Sequence, residues 1–265
     1  MNTRPEPGKA VDGQIVESSH DSTRHVTTIR FANGINNFFD ITLLGRLVTA
    51  IEEAAAAGAR AVVLESLGKH FCAGMNFRPD TLVHGGGAHI YDDIVPRIFA
   101  QPLPIVAAID GAAIGGGFGL ALSADFRVAT PHARFAANFA RIGISHGFGT
   151  SLTLPRIVGV QRATEILYTG RRIPGHEAYA LGLCDHLVEP DAVSERAHEL
   201  AADIATSSPL AVRSIRRTMR ASLLDNLSAA LAEERREQDR LRGTADFAEG
   251  VMAYREQRTP VFTGR

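Results

Sequence analysis

Three consecutive glycines, Gly115 to Gly117, with a fourth at Gly119, interrupt the stretch GAAIGGGFGLALSADFRVA (residues 111–129) between an apolar strand and a run of small residues suited to a helix. Glycine gives up the most backbone freedom on folding, so its use inside an element points to a need for bare backbone. Two readings account for that need. One is close packing of helix on strand; the other is a helix N-terminus whose free N–H groups face a developing negative charge. A P-loop ends in Gly-Lys-Ser/Thr, and a dinucleotide fingerprint places two residues before its last glycine; neither pattern is present. A second stretch, GKHFCAGMNF (residues 68–77), sets the small pair Ala73 and Gly74 where the chain must bend after a buried strand.

The elements that would carry these stretches alternate in type. HVTTIRF (residues 25–31) alternates and is β-branched, and ITLLGRLVTAIEEAAAAG (residues 41–58) has helical periodicity with a glycine stop. AVVLES (61–66), PIVAAID (104–110) and DFRVAT (125–130) read as strands, with a loop over 67–87 and a helix near 88–100 between the first two. Strands separated by helices imply parallel pairing through crossovers, hence an α/β fold. From about Gly149 onward the pattern turns helical, and LAEERREQDRLRG (231–243) is a charged amphipathic helix. The expected organisation is a loose N-terminal tail over residues 1–13, an α/β core over 14–205 and a C-terminal helical region over 206–265.

Composition narrows the partners. The 265 residues are 45% hydrophobic, enough for one substantial core. The net charge of −1, from 28 basic and 29 acidic residues, makes no electrostatic case for nucleic acid or an acidic membrane surface, so a small molecule is the expected partner. Cys72 and Cys184 are far apart, without metal-type spacing, which offers neither a disulfide framework nor a zinc site and suits a reducing compartment. The opening residues lack the apolar core of a secretory signal, and no apolar run is long enough to span a bilayer. A cytoplasmic location is the default expectation.

Taken in order, HFCAGMNF, IVAAIDGAAIGGGFGLALSADFRVA, RIGISHGFGTSLTLPRIVG and the closing FAEGVMAYREQRTPVFTGR resemble the crotonase, or enoyl-CoA hydratase/isomerase, superfamily from about Val26 to the C-terminus. The resemblance implies a crotonase-like spiral of ββα repeats with a C-terminal helical trimerisation region, and assembly as a homotrimer or homohexamer. It also implies that the backbone N–H groups of Met75 and Gly116 form an oxyanion hole for the thioester carbonyl of a coenzyme A substrate. Such donors act on charge that gathers as an enolate forms. Coenzyme A then enters as part of the substrate, with no permanently bound cofactor and no metal. Its groove is expected along FANGINNF (31–38) and beside Ala73, with Arg255 and Arg258 as candidates for its phosphates or as solvated surface charges.

The chain departs from the family's hydratases at both glutamate positions. Gly119 and Phe139 stand there, and neither can accept a proton, so hydration by the standard pair is not expected. His146 and Ser145, in GISHGFG, lie in the turn that faces the thioester in relatives. A histidine titrating near neutrality could move the α-proton; its plain alternative is to cap the helix starting near Gly149 or to sit exposed. Gly115, Phe118, Asn76 and Asn138 are further expected neighbours of the substrate, Asn76 with a turn role as its alternative. His84, His89, Tyr91 and Asp92 border the variable acyl-pocket wall, and any of them could supply the missing base. His70, Arg141 and Asp125 read as structural: a turn residue, a salt-bridge partner, and a cap or buried acid. Phe118, Phe135, Phe139 and Phe148 suggest an apolar acyl pocket or plain core. The function expected is an acyl-CoA thioester enzyme using enolate chemistry without the standard glutamates, an isomerase or lyase; the alternative is a non-catalytic acyl-CoA-binding carrier or regulator.

Overall fold

The computed structural model describes residues 13–76 and 90–265. Its frame is a six-stranded sheet in the order β1-β2-β3-β4-β6-β9, formed by β1 (Gln14–Asp21), β2 (Val26–Asn33), β3 (Ala61–Ser66), β4 (Ile105–Ile109), β6 (Phe126–Ala129) and β9 (His186–Leu187). From β2 to β9 every pairing is parallel, as the alternation of strands and helices implied. Parallel strands are covered on both faces, which is why β3 and β4 are continuous buried runs. The pleat divides their side chains: Val62 and Leu64 join one core, while Ala61 and Val63 join another with Val193, Ala197, Ala201 and Ala205 of a helix on the opposite face.

Helix α1 (Ile41–Ala56) packs on the first face through Leu43, Leu44, Leu47, Val48 and Ile51, a helical period of apolar residues. The Asp40 carboxylate caps its start, accepting the Leu43 N–H at 2.9 Å. The expected helix near 88–100 is seen from residue 90 as a π-helical turn, Ile90–Ile94, running into α2 (Val95–Phe99).

A second, three-stranded sheet sets β7 (Arg134–Ala136) between β5 (Ala112–Ile114) and β8 (Ile173–Pro174). Strands this short carry no readable alternation, so β5, β7, β8 and β9 had no signal of their own. Strand β1 was hidden for another reason: QIVESSHD is polar and half exposed, and its place is earned by pairing antiparallel with β2 along its full length. The helical last third thus contains two short strands beside α4 (Thr150–Val158), α5 (Val160–Thr169), α6 (Gly175–Ala180) and α7 (Val193–Thr206).

The charged helix expected from Leu231 is the end of a longer one, α8 (Pro209–Arg242), followed by α9 (Ala245–Glu256) with Thr244 as its cap. Asp125 anchors α8 to the core. Its carboxylate accepts Arg216 Nε and Arg220 Nη1, each at 2.9 Å, and the backbone N–H of Ile105 at 2.9 Å. Helix α8 then passes α4 and the π-helical turn, and α9 packs on the short turn Ala140–Ile142. Among the described residues no helix is long and apolar enough to cross a membrane, and no group of three metal-ligating side chains is present.

Candidate functional site

Helix α3 (Gly116–Ser123) starts immediately after Gly115, whose φ of 55° and ψ of −120° need glycine. Gly115 is tied to β7 through its N–H, 2.8 Å from the Ala136 carbonyl. A β-carbon at Gly116 would overlap the Phe39 ring, and one at Gly117 would lie 2.8 Å from the Cys72 carbonyl carbon. The close-packing reading of the glycines therefore holds. The same approach brings the start of α3 against the bend at Ala73 to Met75.

That bend is held on both sides. Cys72 donates to the Ala112 carbonyl at 2.9 Å and accepts from Ile114 N–H at 3.0 Å, while Phe39 N–H donates to the Gly74 carbonyl at 3.0 Å. Gly74 has φ 89°, and a β-carbon on it would stand 2.7 Å from the Ile114 oxygen and 3.9 Å from the Gly116 nitrogen. Among the described residues, neither the Met75 N–H nor the Gly116 N–H has a hydrogen-bond acceptor. Two such backbone donors thus lie on adjoining segments, one of them at a helix N-terminus where the dipole is positive.

Both line a cavity of about 750 Å³ including its mouth. Ala73, Gly74, Ile114 and Gly115 complete the floor, and Phe39, Phe139, Ile142, Ile144 and Phe148 form apolar walls. The polar side chains that reach it are Tyr91, Asn138, Gln238, Arg242 and Tyr254. The last three come from α8 and α9, so this chain's own C-terminal helices close its cavity. Sequence reasoning missed them; the available signal was the uncharged Gln238 within the charged run EERREQDRLR, and in the structure it is only 6% exposed.

Of the expected site residues, Met75, Gly116, Ala73, Gly115, Asn138 and Phe139 are brought together here. Asn76 follows Met75 but is not part of the lining. Phe118 is placed elsewhere: it is fully buried in the core, edge-to-face with Phe135 at 6.3 Å. Gly119 also stands behind the wall, since a β-carbon there would meet Phe148 Cγ at 2.8 Å. Phe148 itself has φ 64°, which lets its ring take that space.

Ser145 and His146 lie outside the lining as well. The Ser145 carbonyl accepts from Gln238 Nε2 at 3.1 Å, and His146 Nε2 is 3.9 Å from the carboxylate of Glu234. The cap on α4 is Glu234 and not His146. Its buried carboxylate accepts Gly149 N–H at 2.8 Å, Ser151 N–H at 3.0 Å and Ser151 Oγ–H at 2.6 Å, and a carboxylate suits a helix N-terminus.

In the acyl-wall segment, Tyr91 reaches the cavity, whereas Asp92 pairs with Arg235 at 2.7 Å; His84 and His89 lie outside the described residues. Burial, reinforced by the charge of Glu234, pushes the Tyr91 hydroxyl above its ordinary range, so it stays protonated at neutral pH. His70 fills a structural place, its Nδ1 accepting Ala112 N–H at 3.3 Å. Arg141, expected in a salt bridge, instead donates to the Thr169 carbonyl at 2.7 Å. Arg258 is engaged by Glu249 and Glu256. Along the 31–38 segment, the Asn36 carbonyl accepts Ala73 N–H at 3.2 Å, which sets that segment beside the floor of the cavity. Burial raises the thiols of Cys72 and Cys184, to about 12 and about 11, so neither is a thiolate nucleophile at neutral pH.

Residues 21–265 match the family model described as enoyl-CoA hydratase/isomerase. The human protein named enoyl-CoA hydratase domain-containing protein 2, mitochondrial, is 36% identical over 203 residues, covering 74% of this chain and 70% of that one. The crystal structure of an enoyl-CoA hydratase/isomerase from Pseudoalteromonas atlantica T6c superposes with a TM-score of 0.84 at 26% identity, over 94% of this chain and 99% of that chain. An enoyl-CoA hydratase from Mycobacterium avium subsp. paratuberculosis K-10 superposes at 0.81 with 27% identity, over 96% and 99%. The chain belongs to the enoyl-CoA hydratase/isomerase family.

Proposed function

We propose that this protein is an enzyme acting on an acyl-CoA thioester, whose carbonyl oxygen is held by the N–H groups of Met75 and Gly116 while an enolate forms or is consumed. The observation that carries this reading is the pair of backbone donors, without an acceptor among the described residues, at the floor of an apolar cavity. Donors aimed at a developing oxyanion favour the transition state over the ground state; removing one such donor elsewhere has cost roughly 2.7 to 4 kcal/mol. The apolar walls strengthen the effect by excluding water. They also suit a hydrophobic acyl group, with Phe139 and Phe148 against it.

The standard two-glutamate hydration does not fit this cavity. Phe139 is a wall residue and Phe148 fills the space in front of Gly119, so neither position can present a carboxylate. Coenzyme A itself is assigned to the edge formed by residues 31–38 and Ala73.

The test is incubation of the purified protein with saturated and unsaturated acyl-CoA thioesters in deuterated water, followed by mass spectrometry. Deuterium at the α-carbon or a new product from at least one thioester is the expected result. Recovery of every thioester unchanged by a protein that binds coenzyme A would overturn the enzymatic reading in favour of a carrier.

A further inference from the structure

We propose that Tyr91 is the proton donor of this site, delivering its phenolic proton to the α-carbon of the enolate, and that Gln238 is the positioning residue that aims it. The inference rests on the enolate reading and adds the acid that the two glutamate positions lack.

Four observations carry it. Among the described residues that line the cavity, none is Asp, Glu or His. Among the described lining residues only Tyr91 and Tyr254 bring an O–H group, and Tyr254 is 47% exposed. The Tyr91 hydroxyl and Gln238 Nε2 meet beside Gly147, where a β-carbon would overlap the one and stand 2.5 Å from the other. A phenol whose oxygen faces donors keeps its own proton as the group it can give.

The amide is locked in the orientation this requires. Gln238 Oε1 accepts from Arg242 Nη2 at 3.2 Å, and Nε2 donates to the Ser145 carbonyl at 3.1 Å, so the NH2 end faces the phenol. Gly147 makes room for the pair, because a β-carbon there would overlap both the Tyr91 hydroxyl and the Gln238 amide. The other charges around the hydroxyl are Glu234 and Arg242. Glu234 already accepts three hydrogen bonds from Gly149 and Ser151, while Asp92 is turned to Arg235.

The step balances without a further reactant. The enolate electron pair forms the new C–H bond with the phenolic proton, the thioester carbonyl reforms, and the former O–H pair remains on the Tyr91 oxygen. That phenolate is held by the Gln238 amide and by the nearby Arg242 cation until water entering at the mouth returns the proton. In the reverse direction the phenol first gives its proton to water at the mouth, and the phenolate so formed accepts the α-proton.

The test uses the full-length protein with the thioester panel in deuterated water, comparing wild type, Tyr91→Phe and Gln238→Leu. Expected for Tyr91→Phe is a kcat lower by about 10² to 10⁴, the range for a lost general acid, with KM within threefold and an unchanged melting temperature. Gln238→Leu is expected to lose roughly tenfold in kcat with KM preserved, and to slow deuterium entry at the α-carbon. A Tyr91→Phe variant that keeps kcat within threefold would overturn the assignment and leave the enolate reading standing. Parallel loss of kcat, thioester binding and melting temperature in both variants would overturn it in favour of a packing role. A wild-type protein that turns over nothing in the panel and exchanges no α-proton would remove the enolate reading and this inference together.

Discussion

Phe148 occupies the space that any side chain at Gly119 would require: a β-carbon on Gly119 would lie 2.8 Å from Phe148 Cγ and 3.0 Å from its Cδ1. The left-handed conformation of Phe148, at φ 64°, turns the ring into that space. One aromatic residue therefore decides both the shape of the pocket and the absence of a carboxylate from the helix that follows the glycines.

Gly119→Glu is expected to destabilise the protein by about 1 to 3 kcal/mol, the usual cost of overpacking, and to leave thioester turnover no higher. Combining it with Phe148→Gly removes the collision and relieves the left-handed backbone, so the double variant should recover most of the lost melting temperature. Additive losses in thermal unfolding of the two single variants and the double would contradict this coupling.

Gly116→Pro removes one of the two proposed oxyanion donors at the first position of a helix, where proline is otherwise accommodated. Because a β-carbon at Gly116 overlaps Phe39, the comparison belongs in a Phe39→Ala background. We expect kcat to fall by roughly 10² to 10³ relative to Phe39→Ala alone, with coenzyme A binding retained by calorimetry. An equal loss of binding would move the effect from charge stabilisation to distortion of the floor.

Asp125→Asn leaves Arg216 and Arg220 without their anion, and their side chains are only 8% and 12% exposed. Breaking a buried pair from one side costs about 3 to 5 kcal/mol, so the denaturant midpoint should drop clearly. The same variant should loosen α8, which hydrogen exchange along residues 209–242 would report as lost protection.

His70 should make stability rise with pH. Burial and the neighbouring Arg134 hold its pKa below 6.5, and its Nδ1 must stay unprotonated to accept the Ala112 N–H. The unfolded chain therefore binds the extra proton first. Its contribution is fully present above the unfolded value near 6.5 and is lost as pH falls toward and through the folded value. His70→Gln should flatten this part of the stability profile between pH 7 and 5 in denaturant titrations; an unchanged slope would assign it to other groups.

Much of the frame was legible in the chain itself. Parallel strands must be buried on both faces, so AVVLES and PIVAAID announce themselves as apolar runs, and the apolar period of residues 41–58 announces a helix with one buried side. The glycines at 115–117 likewise signalled a need for bare backbone, since side chains there would meet Phe39 and the Cys72 carbonyl. Short strands such as Ala112–Ile114 could not be read, because three residues carry no period.

The tertiary structure alone decided which side chains surround the cavity. Phe118 and Phe148 look equivalent in sequence, yet one is sealed in the core and the other forms a wall, because one stands on α3, which is buried from Gly117 to Ser123, and the other is turned by a left-handed backbone. His146 left its expected place for a similar reason: this histidine in a turn went to Glu234 of α8, while Tyr91, expected at the pocket wall 55 positions earlier, does reach the cavity. Gln238, Arg242 and Tyr254 reach it from more than ninety residues beyond the turn at Gly147 in chain order. Local pattern determines which segments are strands and helices, but contacts between distant segments depend on how their faces pack, and that packing is where the chemistry of this site is set.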